Sequence, residues 1–206
     1  MFPDRSSASF FQTWFPWLQS WHPPQAKVSV AQLGDPILRQ KAQPIEDPTA
    51  PWVQALADDL LAQIQTSKGV GIAAPQISQG YRMLVIASHP NDRYPTAPLM
   101  EPIVLINPVI VHQASSSVKD WEGCLSVPHM RGLVDRYQWV EVSYHDRQGQ
   151  PQQQRFEDFV ARIFQHEYDH LEGKIFLDRV TQVDDLMTEA EWRSRVLPPA
   201  HHPSNG

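Results

Sequence analysis

Two stretches of the chain repeat apolar residues at the spacing of an α-helix. The first begins at Pro51, which suits a first helical turn, and ends at Lys68-Gly69. Its apolar positions are Val53, Leu56, Ala57, Leu60, Leu61 and Ile64. Because residues three and four apart share a helix face, the pattern predicts an amphipathic helix near the start of the domain.

The second helical stretch includes two histidines on its apolar side. The residues on that side are Phe159, Ile163, Phe164, His166, His170 and Leu171. Asp158 is predicted to be the N-cap, and Gly173 to end the helix in a left-handed conformation. The spacing therefore predicts a core helix with both imidazoles beside its buried face.

Alternating or continuous apolar positions predict strands between the two helices. They run over 82–87, 103–112 and 133–144, followed by a turn at 146–149 and a return strand. Strands joined by loops pair in antiparallel fashion. We therefore expect an α+β fold, with antiparallel β-sheets packed around the second helix and the amphipathic helix at the N-terminal side.

The composition is that of a globular protein rather than a nucleic-acid-binding one. Of the 206 residues, 41% are hydrophobic and 19% are charged, and the net charge is −6. No basic run is present to neutralise phosphates, so direct recognition of nucleic acid is not expected. A single Cys excludes an internal disulfide and indicates a cytoplasmic protein, with organellar targeting left open.

Residues 1–27 differ from the rest of the chain in composition. Aromatic and apolar residues crowd a stretch without charges: Phe10, Phe11, Trp14, Phe15, Trp17, Leu18 and Trp21. Polar residues interrupt this stretch, which is too short to span a bilayer. It is interpreted as an extension that packs on the domain or stays disordered, or as an interfacial or partner-docking segment. The predicted domain covers residues 28–196, and residues 197–206 are predicted to be a disordered tail.

The candidate chemistry centres on His166-Glu167-Tyr168-Asp169-His170, an HExxH pattern. Residues four apart lie on one helix face, so His166 and His170 can bind the same metal ion. Glu167 follows His166 directly, so its carboxyl can reach another group that is bound to the same metal. The pattern predicts a metal-dependent hydrolase.

Cys124, in Trp121-Glu122-Gly123-Cys124-Leu125-Ser126, has three interpretations. It can be a small buried hydrophobe, a nucleophile in a Cys–His pair, or a metal ligand. Two histidines leave a catalytic metal one protein ligand short, and a thiolate would supply it. The residues alone do not separate the last two interpretations.

The segment Gly69-Val70-Gly71-Ile72-Ala73-Ala74-Pro75-Gln76 combines small residues with one amide side chain. It matches neither a dinucleotide fingerprint nor a phosphate-binding loop. Its glycines allow a backbone to pass close to a ligand or another strand. Without further context the segment predicts a tight turn.

Together, Gly69–Gln76, Glu122–Ser126 and Gln165–His170 resemble, in order and approximate spacing, the three motifs of the peptide deformylase family. The resemblance runs from about Val28 to Val180. One difference is Asp158, where many relatives have Gly.

The resemblance implies removal of the formyl group from the N-terminal methionine of new polypeptides. Carried over position by position, it makes Cys124, His166 and His170 the metal ligands and Glu167 the acid/base, with metal-bound hydroxide attacking the formyl carbon. The Gln76 amide and the Leu125 N–H would form the oxyanion hole.

The resemblance also implies one divalent cation, Fe²⁺ first, with Zn²⁺, Ni²⁺ or Co²⁺ as substitutes. Val70, Gly71 and Leu125 are predicted to lie nearest the substrate, because an open backbone can pair with an extended peptide. The expected partners are N-formylmethionyl peptides, with the ribosome as a further candidate, and a monomer is favoured.

Two other functions fit the HExxH pattern. A zinc peptidase would take its third ligand beyond the helix, from Glu172 or Glu189, which leaves Cys124 and Gln76 without roles. A non-enzymatic paralogue would keep a structural metal and bind peptide ends. The presence of both Glu167 and Gln76 argues against it.

Overall fold

The computed structural model describes residues 29–197. The aromatic-rich extension predicted for residues 1–27 lies outside the described residues, and so does the predicted tail apart from its first residue. Across residues 29–197, no helix combines the length and apolar character that a membrane crossing requires.

The described part contains three α-helices and eight β-strands. The helices are α1 (Pro51–Ser67), α2 (Asp158–Leu171) and α3 (Glu189–Arg195). The strands are β1 (Gly71–Ala73), β2 (Met83–Ile86), β3 (Ile103–Gln113), β4 (Ser117–Cys124), β5 (Val127–Tyr137), β6 (Trp139–His145), β7 (Pro151–Glu157) and β8 (Leu186–Thr188). All strand pairs are antiparallel, in a five-stranded sheet of order β1-β2-β3-β6-β7 and a three-stranded sheet of order β4-β5-β8. The expected α+β class with antiparallel sheets is confirmed.

Strand β2 shows how the larger sheet is buried on both faces. Met83 and Val85 pack in a cluster with the apolar face of α1, whereas Leu84 and Ile86 pack in a cluster with α2. Because successive strand residues point to opposite faces, an unbroken apolar run is what a strand between two helices requires. The sheet therefore separates α1 from α2, and α2 also contacts β5 of the smaller sheet.

The segment 133–144 forms two strands rather than the single strand predicted. The chain leaves β5 at Tyr137 and enters β6 at Trp139, and the two strands belong to different sheets. Alternation continues through the break, since Val134 and Val140 are each buried in their own sheet. The Gln165 side chain holds this junction by accepting from Tyr137 N at 3.0 Å and donating to Tyr137 O at 2.9 Å.

The predicted N-cap at Asp158 is wrong. Glu157 is the N-cap residue, without a side-chain cap bond, and Asp158 begins the helix with φ +49°. A positive φ is unfavourable for most side chains but tolerated by Asp. Gly173 does take the predicted left-handed conformation, with φ +69°.

Strands β1, β4 and β8 and helix α3 were not predicted as such. The stretch interpreted as a tight turn is the edge strand β1 followed by a 3₁₀-helix, Ala74–Ile77. The third helix, α3, has only seven residues, too few for a clear apolar period, and one buried residue, Trp192.

Candidate active site

Strand β4 and helix α2 bring three potential metal-binding atoms together. Sγ of Cys124 lies at the end of β4, and the imidazoles of His166 and His170 project from α2. One ligand atom from each residue lies within 4.8 Å of the others, and Sγ is 3.3 Å from Nε2 of His170. One thiol and two imidazoles are a donor set that suits zinc or iron.

Glu122 orients His166. Its Oε2 lies 2.8 Å from Nδ1 of His166, at a position where both side chains are buried. This hydrogen bond fixes the ring and leaves Nε2 for a metal. Such a carboxylate behind a ligating imidazole is a common support of metal sites and makes the imidazole a better ligand.

Two buried arginines hold Glu122 in its ionised form. Arg136 donates to Oε1 at 2.8 Å and to Oε2 at 3.0 Å, and Arg162 donates to Oε1 at 2.9 Å. Burial would raise the pKa of Glu122, but the Arg136 guanidinium beside it holds that pKa well below its usual range. Arg136 also donates to Asp169 of α2 at 2.6 Å, so one ion-pair network ties β4, β5 and α2 together behind the histidines.

The Cys124 thiol is set up to ionise. Burial opposes a charge on sulfur, but His170 and His166 together keep the pKa of this thiol well below its usual value. The backbone N–H of Ser126 also donates to Sγ at 3.4 Å. A thiolate is the form in which Cys binds metals and in which it acts as a nucleophile.

Gln76 presents its amide nitrogen to the same sulfur. The Ala73 N–H donates to Oε1 of Gln76 at 2.9 Å, which turns Nε2 toward Sγ of Cys124 at 3.5 Å and Oγ of Ser126 at 3.3 Å. The side chain is 1% exposed. The 3₁₀-helix after β1 therefore delivers one oriented hydrogen-bond donor to the site.

Glu167 is buried at the cleft and forms no ion pair with another of residues 29–197. Among the described residues, its Oε2 has no hydrogen-bond partner, and burial raises the pKa of the carboxyl to about 7. A carboxyl with a pKa near the working pH can both accept and donate a proton. The chain thus places a buried carboxyl with this pKa next to the two imidazoles.

A cleft opens onto these residues. Its walls include the stretch 69–71, the loop residues Arg93 and Tyr94, the stretch 121–125, and Phe159 and Ile163 of α2. Val70, Gly71, Leu125, Gln76 and Glu167 all line it, so the structure brings the predicted substrate-binding and catalytic residues to one cavity. Their individual roles stay predictions.

The glutamates that a zinc peptidase would need are engaged elsewhere. Glu172 pairs with Lys41 at 2.9 Å and Arg82 at 2.7 Å, and Glu189 pairs with Arg193 at 2.8 Å. In residues 29–197, the candidate metal cluster contains Cys124 with the two histidines and neither of these glutamates.

Several residues that shape the site had no role predicted from the sequence. Glu122 and Ser126 lie in the same motif as Cys124, so their closeness to Cys124 in the sequence could have indicated a role in the site. Arg136 and Tyr94 come from a strand and a loop distant in sequence, and the sequence carried no signal for them.

In this α+β domain, a core helix places two His and a buried Glu beside a Cys from a neighbouring strand. These are the features of a metal-dependent hydrolase. The family model described as polypeptide deformylase matches residues 27–185. The chain belongs to the polypeptide deformylase family.

Relatives of known name agree with this assignment. "Peptide deformylase 2" of Nostoc sp. is 53% identical over 167 residues, which are 81% of this chain and 93% of the relative. "Peptide deformylase 2" of Shewanella oneidensis is 44% identical over 84% of this chain and 95% of the relative.

Solved structures show the same fold with ligands bound. A class I type b peptide deformylase from Acinetobacter baumannii with Met-Ala-Ser bound has a TM-score of 0.73 and 42% identity, over 74% of this chain and 98% of that one. The actinonin complex of a peptide deformylase from Synechococcus elongatus has a TM-score of 0.68 and 34% identity, over 80% and 82%.

Proposed function

We propose that the chain removes the formyl group from N-formylmethionyl peptides by metal-dependent hydrolysis, releasing formate. The main support for this proposal is the buried Glu167 carboxyl, which adjoins three converging ligand atoms on the wall of a cleft. Family membership supplies the reaction class, and the donor set supports it.

Cys124, His166 and His170 are the residues that hold the cation. When bound, a divalent cation there supplies Lewis acidity, which lowers the pKa of water to around 7. The three donor atoms fit such an ion because they converge, because Glu122 leaves Nε2 of His166 available, and because the Cys124 pKa favours thiolate. The resemblance to deformylases favours Fe²⁺ as the native metal, with Zn²⁺, Ni²⁺ or Co²⁺ as substitutes.

Glu167 is the acid/base. It takes a proton from water as the formyl carbon is attacked, and returns it to the departing amine. General acid–base catalysis of this kind contributes about 10²–10⁴-fold. The pKa of about 7 suits both directions of transfer at neutral pH.

Gln76 and Leu125 stabilise the negative charge that develops on the formyl oxygen. Nε2 of Gln76 is held facing the site by the Ala73 N–H, and Leu125 lies on the cleft wall next to Cys124. The backbone N–H of Leu125 is the second donor. Removing one such donor from an enzyme typically costs about 2.7–4 kcal/mol of transition-state stabilisation.

The cleft takes an extended peptide along β1. This strand is the outer strand of its sheet, so one side of its backbone is open for pairing with a substrate strand. Val70, Leu125, Phe159 and Ile163 provide an apolar wall for an unbranched side chain. The related Acinetobacter enzyme binds Met-Ala-Ser, a tripeptide that begins with such a residue.

The test is a formate-release assay on protein purified without oxygen, together with metal analysis. We expect formate from formyl-Met-Ala-Ser, and a loss of about 10–200-fold in kcat/KM for acetyl-Met-Ala-Ser, because the extra methyl must enter a tight pocket. Formyl-Asp-Ala-Ser tests the apolar wall, and an internal peptide bond tests peptidase activity. Equal kcat/KM for the formyl-Met, acetyl-Met and formyl-Asp peptides would contradict the proposal.

A further inference from the structure

Helix α3 lies beyond the part of the chain that the family model matches, yet it packs against β5, the strand that contains Arg131. Its Trp192 is 3% exposed, and the ring centre lies 4.3 Å from Cζ of Arg131. Arg131 itself is only 1% exposed. A buried guanidinium stacked on an indole is a strong form of the cation–π contact, because water does not compete with it.

The other side of Arg131 faces the cleft wall. Its Nη1 donates to the Tyr94 hydroxyl at 2.9 Å, and the Tyr94 ring lies 5.0 Å from the ring of Phe159. A Cβ on Gly123 would be 2.6 Å from Nη1, so the guanidinium packs directly under the strand that leads to the site. Tyr94, Phe159 and Gly123 all line the cleft.

The contacts of Arg131 come from two sources that are far apart in the chain. Helix α3 supplies the Trp192 ring and the Glu189 carboxylate at 3.4 Å, and the loop between β2 and β3 supplies Tyr94. A buried charge is costly unless such partners surround it. The position of the Tyr94 side chain is therefore linked to the docking of α3.

We propose that α3 positions the substrate wall of the cleft: Trp192 fixes Arg131, and Arg131 fixes Tyr94 against Phe159 where the peptide lies. This rests on the deformylase activity proposed above. Arg131 and Trp192 are positioning residues, because they act through Tyr94. Their loss weakens the binding of the peptide and leaves the metal ligands in place.

Two variants, one at Tyr94 and one at Trp192, test the contacts that Arg131 makes with each of them, with formyl-Met-Ala-Ser as substrate. Tyr94→Phe removes only the hydroxyl that accepts from Arg131, and Trp192→Leu removes the aromatic face. Each is expected to raise KM about tenfold, equivalent to 1.4 kcal/mol, with kcat within about twofold and metal content unchanged. Trp192→Phe, which keeps a ring over the guanidinium, is expected to restore most of the affinity.

Trp139→Leu is the matched control. Trp139 makes the same kind of contact with Arg155, at 3.9 Å, but belongs to β6 and is not part of the cleft wall. Its loss is expected to leave KM unchanged. The double variant Tyr94→Phe/Trp192→Leu is expected to raise KM by less than the product of the single effects, since both act through Arg131.

Unchanged KM in both single variants contradicts the inference, and so does a loss of metal that accompanies the change in KM. Should Trp192→Leu fail to fold, Tyr94→Phe decides, because it deletes one hydroxyl from a partly exposed loop residue. Formate release by the unaltered chain is measured first. If the parent releases no formate, the proposed function is contradicted. If the parent is active and KM is unchanged in the variants, only the role of α3 is contradicted.

Discussion

Gly71 of the edge strand lies directly against the Glu167 side chain of α2. A Cβ at Gly71 would be 2.6 Å from Oε1 of Glu167 and 2.7 Å from Cγ2 of Ile163. The sequence predicted that this glycine leaves room for a peptide. The structure adds that this glycine leaves room for the Glu167 side chain, so a side chain at position 71 would displace Glu167.

We therefore expect Gly71→Ala to displace Glu167 and lower kcat by about 10²-fold, since a shift of about 1 Å in a catalytic group has that effect. Metal content should stay unchanged, because the three atoms nearest to the added Cβ belong to Glu167 and Ile163 and not to a candidate ligand. Gly80→Ala is the control: a Cβ there meets only Ile37, at 3.7 Å. A Gly71→Ala enzyme with the kcat of the parent would show that the contact does not position Glu167.

Glu167→Gln should keep the fold and the metal but lose about 10²–10⁴-fold in kcat. The amide has the same shape as the carboxylate and cannot take up the proton. Thermal unfolding and metal stoichiometry, measured beside formate release, separate this loss from structural damage. Near-normal turnover by the metal-loaded variant would remove Glu167 from the acid/base role.

Cys124→Ala distinguishes the two chemical interpretations of the thiol. If Cys124 is a ligand, the variant should lose the metal or bind it far more weakly, while Cys124→Asp should recover part of the binding through a harder oxygen donor. If Cys124 is a nucleophile, the metal stays at full occupancy and a thiol-specific reagent inactivates the metal-loaded enzyme. Metal stoichiometry therefore decides between them.

Glu122→Gln removes the charge that two buried arginines and His166 share. Breaking one partner of a buried ion pair costs about 3–5 kcal/mol of folding free energy, because the other charge stays buried. Loss of the carboxylate behind His166 should also weaken metal affinity by about 10–100-fold. Denaturant unfolding and competition with a chelator measure the two effects.

Glu191→Gln is the matched control for that variant. Glu191 forms an exposed ion pair with Arg195, one turn along α3. Exposed pairs of this type contribute about 0.3–0.5 kcal/mol, so stability and metal affinity should stay near those of the parent. Equal effects of the two substitutions would contradict a special role for the buried network.

The sequence by itself determined the elements whose signal is local. Helix α1 and the buried face of α2 follow from a 3.6-residue period, and the pairing of His166 with His170 follows from their spacing of four. The class α+β, the antiparallel pairing and the family also came from order and spacing along the chain. In each case neighbours in sequence carry the information.

Tertiary structure decided where the chain changes sheets and what surrounds the site. Alternation runs through 133–144 without a mark at Gln138, because both β5 and β6 bury alternate residues. Contacts from elsewhere in the fold hold the junction, among them the Gln165 side chain and the backbone of Ser116. The contacts of Gly71 with Glu167, of Glu122 with Arg136, and of Arg131 with Trp192 join residues 96, 14 and 61 positions apart. Periodicity reports which face of an element is buried, but it does not report which distant residue covers that face, so these contacts required the folded chain.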